Sequence, residues 1–201
     1  MIVSIYGNRL AAGTESTTSA ALPLQLSDSQ VMLGGTPIPM YYASPSHINV
    51  VFPDNASGLA RLGVHNTSGT HTINVLVESA APSVFTQDSS GIGGAAVLKA
   101  SNSTLATPDN PVRGGDYLEL FLTGLGATTP LNGLEYANQR PTVQISGQNC
   151  LVTYAGRAPG YPGLDQINCV VPSGLSSDDS AALIVTSGIR GSNIVTVAVR
   201  Q

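Results

Sequence analysis

Short alternating runs of apolar residues are the dominant pattern of the chain. No segment keeps the i, i+3, i+4, i+7 apolar spacing over three turns that an amphipathic helix requires. Runs rich in Val, Ile, Leu, Thr and Tyr recur instead, separated by Gly, Pro, Asn and Ser. The pattern predicts an all-β chain built of sandwiches, with thirteen strands at residues 2–6, 30–33, 38–43, 48–52, 62–65, 72–78, 95–99, 117–123, 142–146, 150–155, 167–171, 181–186 and 193–200.

One strand motif is written twice. Residues 47–53 read HINVVFP and residues 166–172 read QINCVVP, an offset of 119 residues. Upstream of the motif, Tyr42 aligns with Tyr154 at an offset of 112 residues. Because the offset grows from 112 to 119, the second copy carries seven extra residues, which fall in 157–163 (RAPGYPG). Near the start of each copy, Ile5 is matched with Phe121. The repeat predicts two tandem sandwiches, the second with a lengthened hairpin loop.

The domain boundary is predicted near residue 80, giving a sandwich at 1–79 and a second at 80–201. Residues 87–115 have no counterpart in the first copy and predict an inserted hairpin or cover loop on the second domain. The first copy also has no match for the first strand of the second copy. Our hypothesis is that this strand was cut away upstream or is replaced by another segment.

The N-terminal sequence MIVSIYGNRLAAG is interpreted as part of a strand and not as a signal peptide, because it lacks a basic region followed by a long apolar run. Met1 is therefore interpreted as a start codon added to a fragment, with any export signal upstream. No apolar stretch reaches the roughly 18 to 20 residues that span a bilayer.

Composition narrows the classes of function. Charged residues make up only 10% of the chain and the formal net charge is −4, so solubility depends on neutral polar groups. This is typical of secreted bacterial β proteins and indicates an extracellular or cell-surface location. The eight basic residues are scattered, which argues against a nucleic-acid-binding surface.

The two cysteines change together between the copies. Cys150 aligns with Ile38 and Cys169 with Val50, two apolar positions on neighbouring strands of one hairpin. The paired change predicts a disulfide between them. The alternative is two free buried thiols that act as small hydrophobic side chains.

The motifs IVSIYGNRLA, SPSHINVVFP, TPDNPVRGG and APGYPGLDQINCVVP, together with the rest of the chain, resemble a C-terminal domain family of acidobacterial secreted proteins. The resemblance covers essentially the whole chain. It implies two tandem immunoglobulin-like units similar to IPT/TIG domains, appended to a larger extracellular protein, and it transfers no catalytic residue. The chain departs from the family in His47, where Gln is usual, and in the cysteine pair.

Candidate chemistry is sparse. The chain has three histidines, and no spacing of His, Cys, Asp or Glu predicts a metal site. No nucleophile elbow, phosphate-binding loop or carboxylate pair predicts catalysis or a cofactor. The candidate ligand contacts are Tyr41, which is predicted to be exposed, and Tyr161 in the inserted loop.

These observations predict a non-enzymatic structural, adhesion or assembly module, monomeric, with an unknown protein or glycan partner. The alternative is a carbohydrate-binding accessory domain. A third possibility, an enzyme with a site at the domain interface or under the 87–115 insertion, has no residue set to support it.

Overall fold

The computed structural model describes all 201 residues and contains strands but no helix, which confirms the predicted all-β class. The chain divides into two compact units. Unit 1 comprises Met1–Ser79 with Gly160–Gly163, and unit 2 comprises Ala80–Pro159 with Leu164–Gln201.

Unit 1 is a sandwich of two antiparallel four-stranded sheets. Its strands are β1 (Ile2–Tyr6), β2 (Glu15–Ser16), β3 (Gln30–Leu33), β4 (Thr36–Pro37), β5 (Met40–Ala43), β6 (His47–Val51), β7 (Gly58–Asn66) and β8 (Gly69–Val77). One sheet has the order β1-β6-β5-β2 and the other the order β4-β3-β7-β8. Along β6, Ile48 and Val50 are buried in the core whereas His47 and Asn49 point outward, as the two-residue period of a strand requires.

Unit 2 is a larger sandwich with the same central arrangement. Its strands are β9 (Ser83–Val84), β10 (Val97–Lys99), β11 (Thr104–Leu105), β12 (Tyr117–Thr123), β13 (Thr128–Leu131), β14 (Leu134–Ala137), β15 (Thr142–Ile145), β16 (Gln148–Asn149), β17 (Leu151–Arg157), β18 (Asp165–Val170), β19 (Asp178–Ser187), β20 (Arg190–Gly191) and β21 (Val195–Val199). One sheet has the order β11-β10-β12-β18-β17-β14-β13, with β9 also on β12. The other has the order β16-β15-β19-β20, with β21 also on β19.

The strands with matching sequence occupy matching places in the two units. The series β1-β6-β5 corresponds to β12-β18-β17, and β4-β3-β7-β8 corresponds to β16-β15-β19-β21. In unit 2 the predicted insertion supplies the β10–β11 hairpin, whose strand β10 pairs with β12. The lengthened loop is also present, because β17 runs on through Arg157 and β18 begins at Asp165.

The structure corrects one sequence match by a single residue. Ile5 pairs with Ile48 in unit 1, and Leu120 pairs with Ile167 in unit 2. Because Ile48 and Ile167 hold the same place in the repeated motif, Ile5 corresponds to Leu120 and not to Phe121. A slip of one residue along a strand exchanges the inward and outward faces, so the corrected match places two core-facing side chains together.

Candidate functional site

An aromatic cluster lies on the outer face of the β1-β6-β5-β2 sheet of unit 1. Tyr6 of β1 pairs across with His47 of β6, and their rings stack with centroids 4.7 Å apart and an angle of 7° between planes. The ring of Tyr42 of β5 packs against the same imidazole, with ring centroids 5.3 Å apart and an angle of 45° between the ring planes. Tyr6 is 76% exposed, so this cluster presents an aromatic ring to solvent.

Polar side chains beside the cluster are held in fixed positions. The Nε2–H of His47 donates to Oδ1 of Asn49 at 2.6 Å, and the hydroxyl of Ser4 donates to the same oxygen at 2.8 Å. In unit 2, Nε2 of Gln166 donates to Oδ1 of Asn168 at 2.8 Å. The asparagine shared by the two motifs therefore accepts a hydrogen bond from the side chain two residues before it on the same face of the strand.

This arrangement places an exposed aromatic ring beside polar side chains on one face of the sheet. An exposed aromatic ring offers an apolar face, and nearby hydroxyl and amide groups offer hydrogen bonds. Tyr6, His47 and Tyr42 were not among the residues that the sequence predicted as ligand contacts. The sequence signal for this cluster is that the three residues share one face of three neighbouring strands. That signal can be used only when the strand pairing is known.

The two predicted ligand contacts, Tyr41 and Tyr161, have different environments. Tyr41 is half-buried and its hydroxyl donates to the carbonyl of Pro162 at 2.8 Å, so the predicted exposure of Tyr41 is wrong. Tyr41 lies at a β-bulge, where the extra residue turns its side chain away from the simple alternation. Burial raises the pKa of Tyr41. Tyr161, the residue before Pro162, is 64% exposed.

The two cysteines are buried free thiols and do not lie directly opposite each other. Cys169 of β18 pairs across with Val152 of β17, and Cys150 lies two residues earlier, just before that strand. The predicted side-by-side register is wrong because β17 continues through Arg157, so the hairpin turns later than the midpoint between the cysteines. The interaction between the two thiols lowers the pKa of Cys150, and the same interaction together with burial raises the pKa of Cys169.

The disulfide between Cys150 and Cys169 stays a prediction. Its test uses oxidised glutathione as the oxidant. The Cys150 thiolate attacks the glutathione disulfide and releases one glutathione, and Cys169 then displaces the second, so two glutathione thiols form for each protein disulfide. Closing this loop is expected to stabilise unit 2 by about 3 kcal/mol. Thiol titration in denaturant should find two reactive thiols before oxidation and none after it. Two remaining thiols would contradict the prediction, and Cys150→Ser is the control that can form only a mixed disulfide.

A buried ion pair closes the long hairpin of unit 2. Asp165 is fully buried, with one carboxylate oxygen against the guanidinium of Arg157 and the other accepting the N–H of Leu125 at 2.8 Å. Arg157 also donates to the carbonyl of Gly126 at 3.2 Å. Burial raises the pKa of Asp165, and the charge of Arg157 opposes that rise. These contacts fix the ends of β17 and β18 to the chain that follows β12.

The remaining titratable groups do not assemble into a metal centre. No group of three or more His, Cys, Asp or Glu side chains has the geometry to hold a metal ion. Nδ1 of His65 shares a hydrogen bond of 2.7 Å with the hydroxyl of Thr70. His71 pairs across with Val64, the residue before His65 on β7. The fold contains no helix that is long and apolar enough to cross a membrane.

No protein-family model matches the chain, and no curated protein matches it. Among solved structures, the chain is similar to the Bacteroides ovatus mixed-linkage glucan utilization locus protein SGBP-B in complex with a mixed-linkage heptasaccharide. The identity is 15%, the TM-score is 0.30, and the match covers 96% of this chain and 42% of that chain.

A second similar structure is that of domains 4 and 5 of the S-layer protein SbsC. The identity is 14% and the TM-score is 0.22, with 87% of this chain and 71% of that chain covered. Both TM-scores are too low to carry a functional assignment.

Proposed function

We propose that this chain is a non-enzymatic structural or adhesion module of a larger extracellular or cell-surface protein. The observation that supports the proposal is that the buried reactive groups serve the fold. Asp165 is bound to Arg157 and the N–H of Leu125, and the two free cysteine thiols are buried in the core of unit 2. Because these groups are buried, contacts with a partner would be made by the exposed surface, which carries few charges.

The proposal is tested by incubating the full chain with a broad panel of polysaccharides, peptides and esters. We expect no turnover of any substrate, and a monomer by sedimentation velocity. Catalytic turnover that follows the protein through purification, and disappears when a surface residue is changed, would overturn the proposal.

The second candidate function is carbohydrate binding, which the cluster of Tyr6, His47 and Tyr42 favours. Glycan-array binding that is lost in Tyr6→Ala but kept in Tyr117→Ala would support it, because Tyr117 is a comparably exposed tyrosine (59%) on the corresponding sheet of unit 2. Loss in Tyr161→Ala or Tyr41→Ala instead would place the site at the contacts predicted from sequence. An array without binding would contradict this function.

A further inference from the structure

The aromatic cluster of unit 1 has a defined counterpart in unit 2. Tyr42 pairs with the asparagine of the motif, Asn49, and Tyr154 pairs with the corresponding Asn168. In both strands the register shifts immediately before the tyrosine, as a β-bulge requires. The two tyrosines therefore hold equivalent positions, and the contacts of their hydroxyl groups can be compared directly.

In unit 2 the tyrosine hydroxyl is used by the fold. The hydroxyl of Tyr154 lies 3.0 Å from the carbonyl oxygen of Glu135 and 2.7 Å from that of Arg157. The ring of Tyr136 packs edge-on against the ring of Tyr154, with centroids 5.2 Å apart and an angle of 74° between the planes. Glu135 and Tyr136 belong to β14, so the β13–β14 hairpin supplies most of these contacts.

Unit 1 has no such hairpin on this face. The strand that pairs with β5 is β2, which has two residues, and its Ser16 lies opposite Tyr42. The hydroxyl groups of Tyr42 and Tyr6 make no hydrogen bond within the chain, although both rings pack against His47. The difference between the units arises in the segment between β1 and β3 and in its counterpart between β12 and β15.

Tyr6 provides an aromatic ring with one face free. His47 is stacked on the other face, and this contact holds the orientation of the Tyr6 ring. Phe121 pairs with Gln166 as Tyr6 pairs with His47, so Phe121 is the counterpart of Tyr6. Phe121 remains partly exposed although β9 and β10 flank β12, so strands on that side of the sheet do not close its outer face.

Polar groups with spare hydrogen-bonding capacity surround this ring. Oδ1 of Asn49 accepts from the hydroxyl of Ser4 and from Nε2–H of His47, which leaves Nδ2 of Asn49 as a donor and Nδ1 of the imidazole as an acceptor. The hydroxyl groups of Tyr6 and Tyr42 add to this set. None of these five side chains is a carboxylate, an amine or a guanidinium.

We propose that the aromatic cluster binds one residue of a neutral hexopyranose glycan. The C–H face of the sugar ring stacks on the free face of Tyr6, and sugar hydroxyls bond to the Tyr42 hydroxyl and the Asn49 amide. An anionic sugar gains no affinity because the cluster offers no opposite charge. This inference rests on the carbohydrate-binding function proposed above, and it names the ligand class, the contacts and a stoichiometry of one sugar site per chain.

His47 is a positioning residue for Tyr6. In unit 2 the matching Gln166 donates to Asn168 at 2.8 Å without an aromatic ring. His47→Gln therefore keeps a hydrogen bond that the same fold already makes to Asn49, and removes only the ring behind Tyr6. Sugar binding is expected to weaken about three- to tenfold, because the freed Tyr6 side chain must then be ordered by the ligand.

The test titrates the full chain, labelled with ¹⁵N, with single oligosaccharides followed by NMR chemical shifts. The neutral ligands are cellohexaose, mannohexaose and galactohexaose, and the anionic comparison is hexagalacturonate. We expect at least one neutral ligand to bind with a dissociation constant on the order of 1 mM, since one stacked ring and a few hydrogen bonds supply the contacts. The shifts should fall on β1, β5 and β6 and fit one site, and hexagalacturonate should cause none.

Two pairs of variants separate the contacts of the cluster from general effects. Tyr6→Ala is expected to abolish the shifts, whereas Tyr117→Ala, at an exposed tyrosine of unit 2, should leave binding unchanged. Tyr42→Phe removes one hydroxyl and is expected to weaken binding about two- to tenfold. Tyr154→Phe removes the matching hydroxyl of unit 2 and should not change the affinity of the folded protein.

His47→Phe distinguishes the stacked ring from the hydrogen bond. This variant keeps an aromatic ring behind Tyr6 and loses the hydrogen bond to Asn49, so it should recover most of the affinity lost in His47→Gln. An affinity of His47→Phe as low as that of His47→Gln would contradict the positioning role of the ring. Amide spectra of the sugar-free variants check that β6 remains folded in both.

Several results would overturn the inference while carbohydrate binding itself stands. They are tighter binding of hexagalacturonate than of the neutral ligands, two equivalent sites per chain, or equal binding by Tyr6→Ala and the unaltered chain. The absence of binding by all three neutral ligands also overturns it, and glycan-array binding then decides whether the chain takes another class of sugar. The turnover panel tests the non-enzymatic role separately.

Discussion

Replacing Arg157 with methionine is expected to lower the free energy of unfolding of unit 2 by about 3–5 kcal/mol. The substitution keeps much of the apolar stem but leaves the carboxylate of Asp165 fully buried without its cation. The hydrogen bond from Leu125 remains and cannot offset the charge alone. Denaturant unfolding followed by circular dichroism measures the loss, and hydrogen exchange of the β18 amides assigns it to unit 2.

The pH dependence of that variant separates charge from packing. Burial raises the pKa of Asp165, and removing Arg157 removes the group that opposes the rise. A carboxyl with a raised folded-state pKa contributes its stability at low pH and loses it as pH rises through that pKa. The deficit of Arg157→Met should therefore shrink on acidification, and the double variant Arg157→Met with Asp165→Asn should recover part of it at neutral pH. A deficit that is independent of pH would indicate lost packing alone.

The hydrophobic pattern predicted the long strands because their burial is regular. Each of the thirteen predicted runs overlaps a strand, including β12, where Leu118, Leu120 and Leu122 alternate inward. The eight further strands have two to four residues, too few to establish a period. The β13–β14 hairpin is different, because its turn is Asn132-Gly133, both with positive φ. This Asn-Gly pair is a strong hairpin signal that we did not use, and Pro130 weakened the strand pattern beside it.

The candidate site was less predictable than the fold because it depends on which strands become neighbours. Tyr6 and His47 are 41 positions apart in the sequence, and the antiparallel pairing of β1 with β6 brings their rings together. Tyr41 was expected on the exposed face by simple alternation, and the bulge of β5 moved it. Sequence periodicity assigns a residue to a face only where the strand has no bulge.

The matching positions Ile5 of unit 1 and Leu120 of unit 2 provide a matched pair of core variants. Leu120→Ala is expected to destabilise unit 2 by about 2–5 kcal/mol, because Leu120 is fully buried between Ile167 and Val97 on the neighbouring strands. Ile5→Ala, at the same position in unit 1, is expected to cost no more than about half as much, because Ile5 is only half-buried. Hydrogen exchange of β18 and of β6 reports the two losses separately.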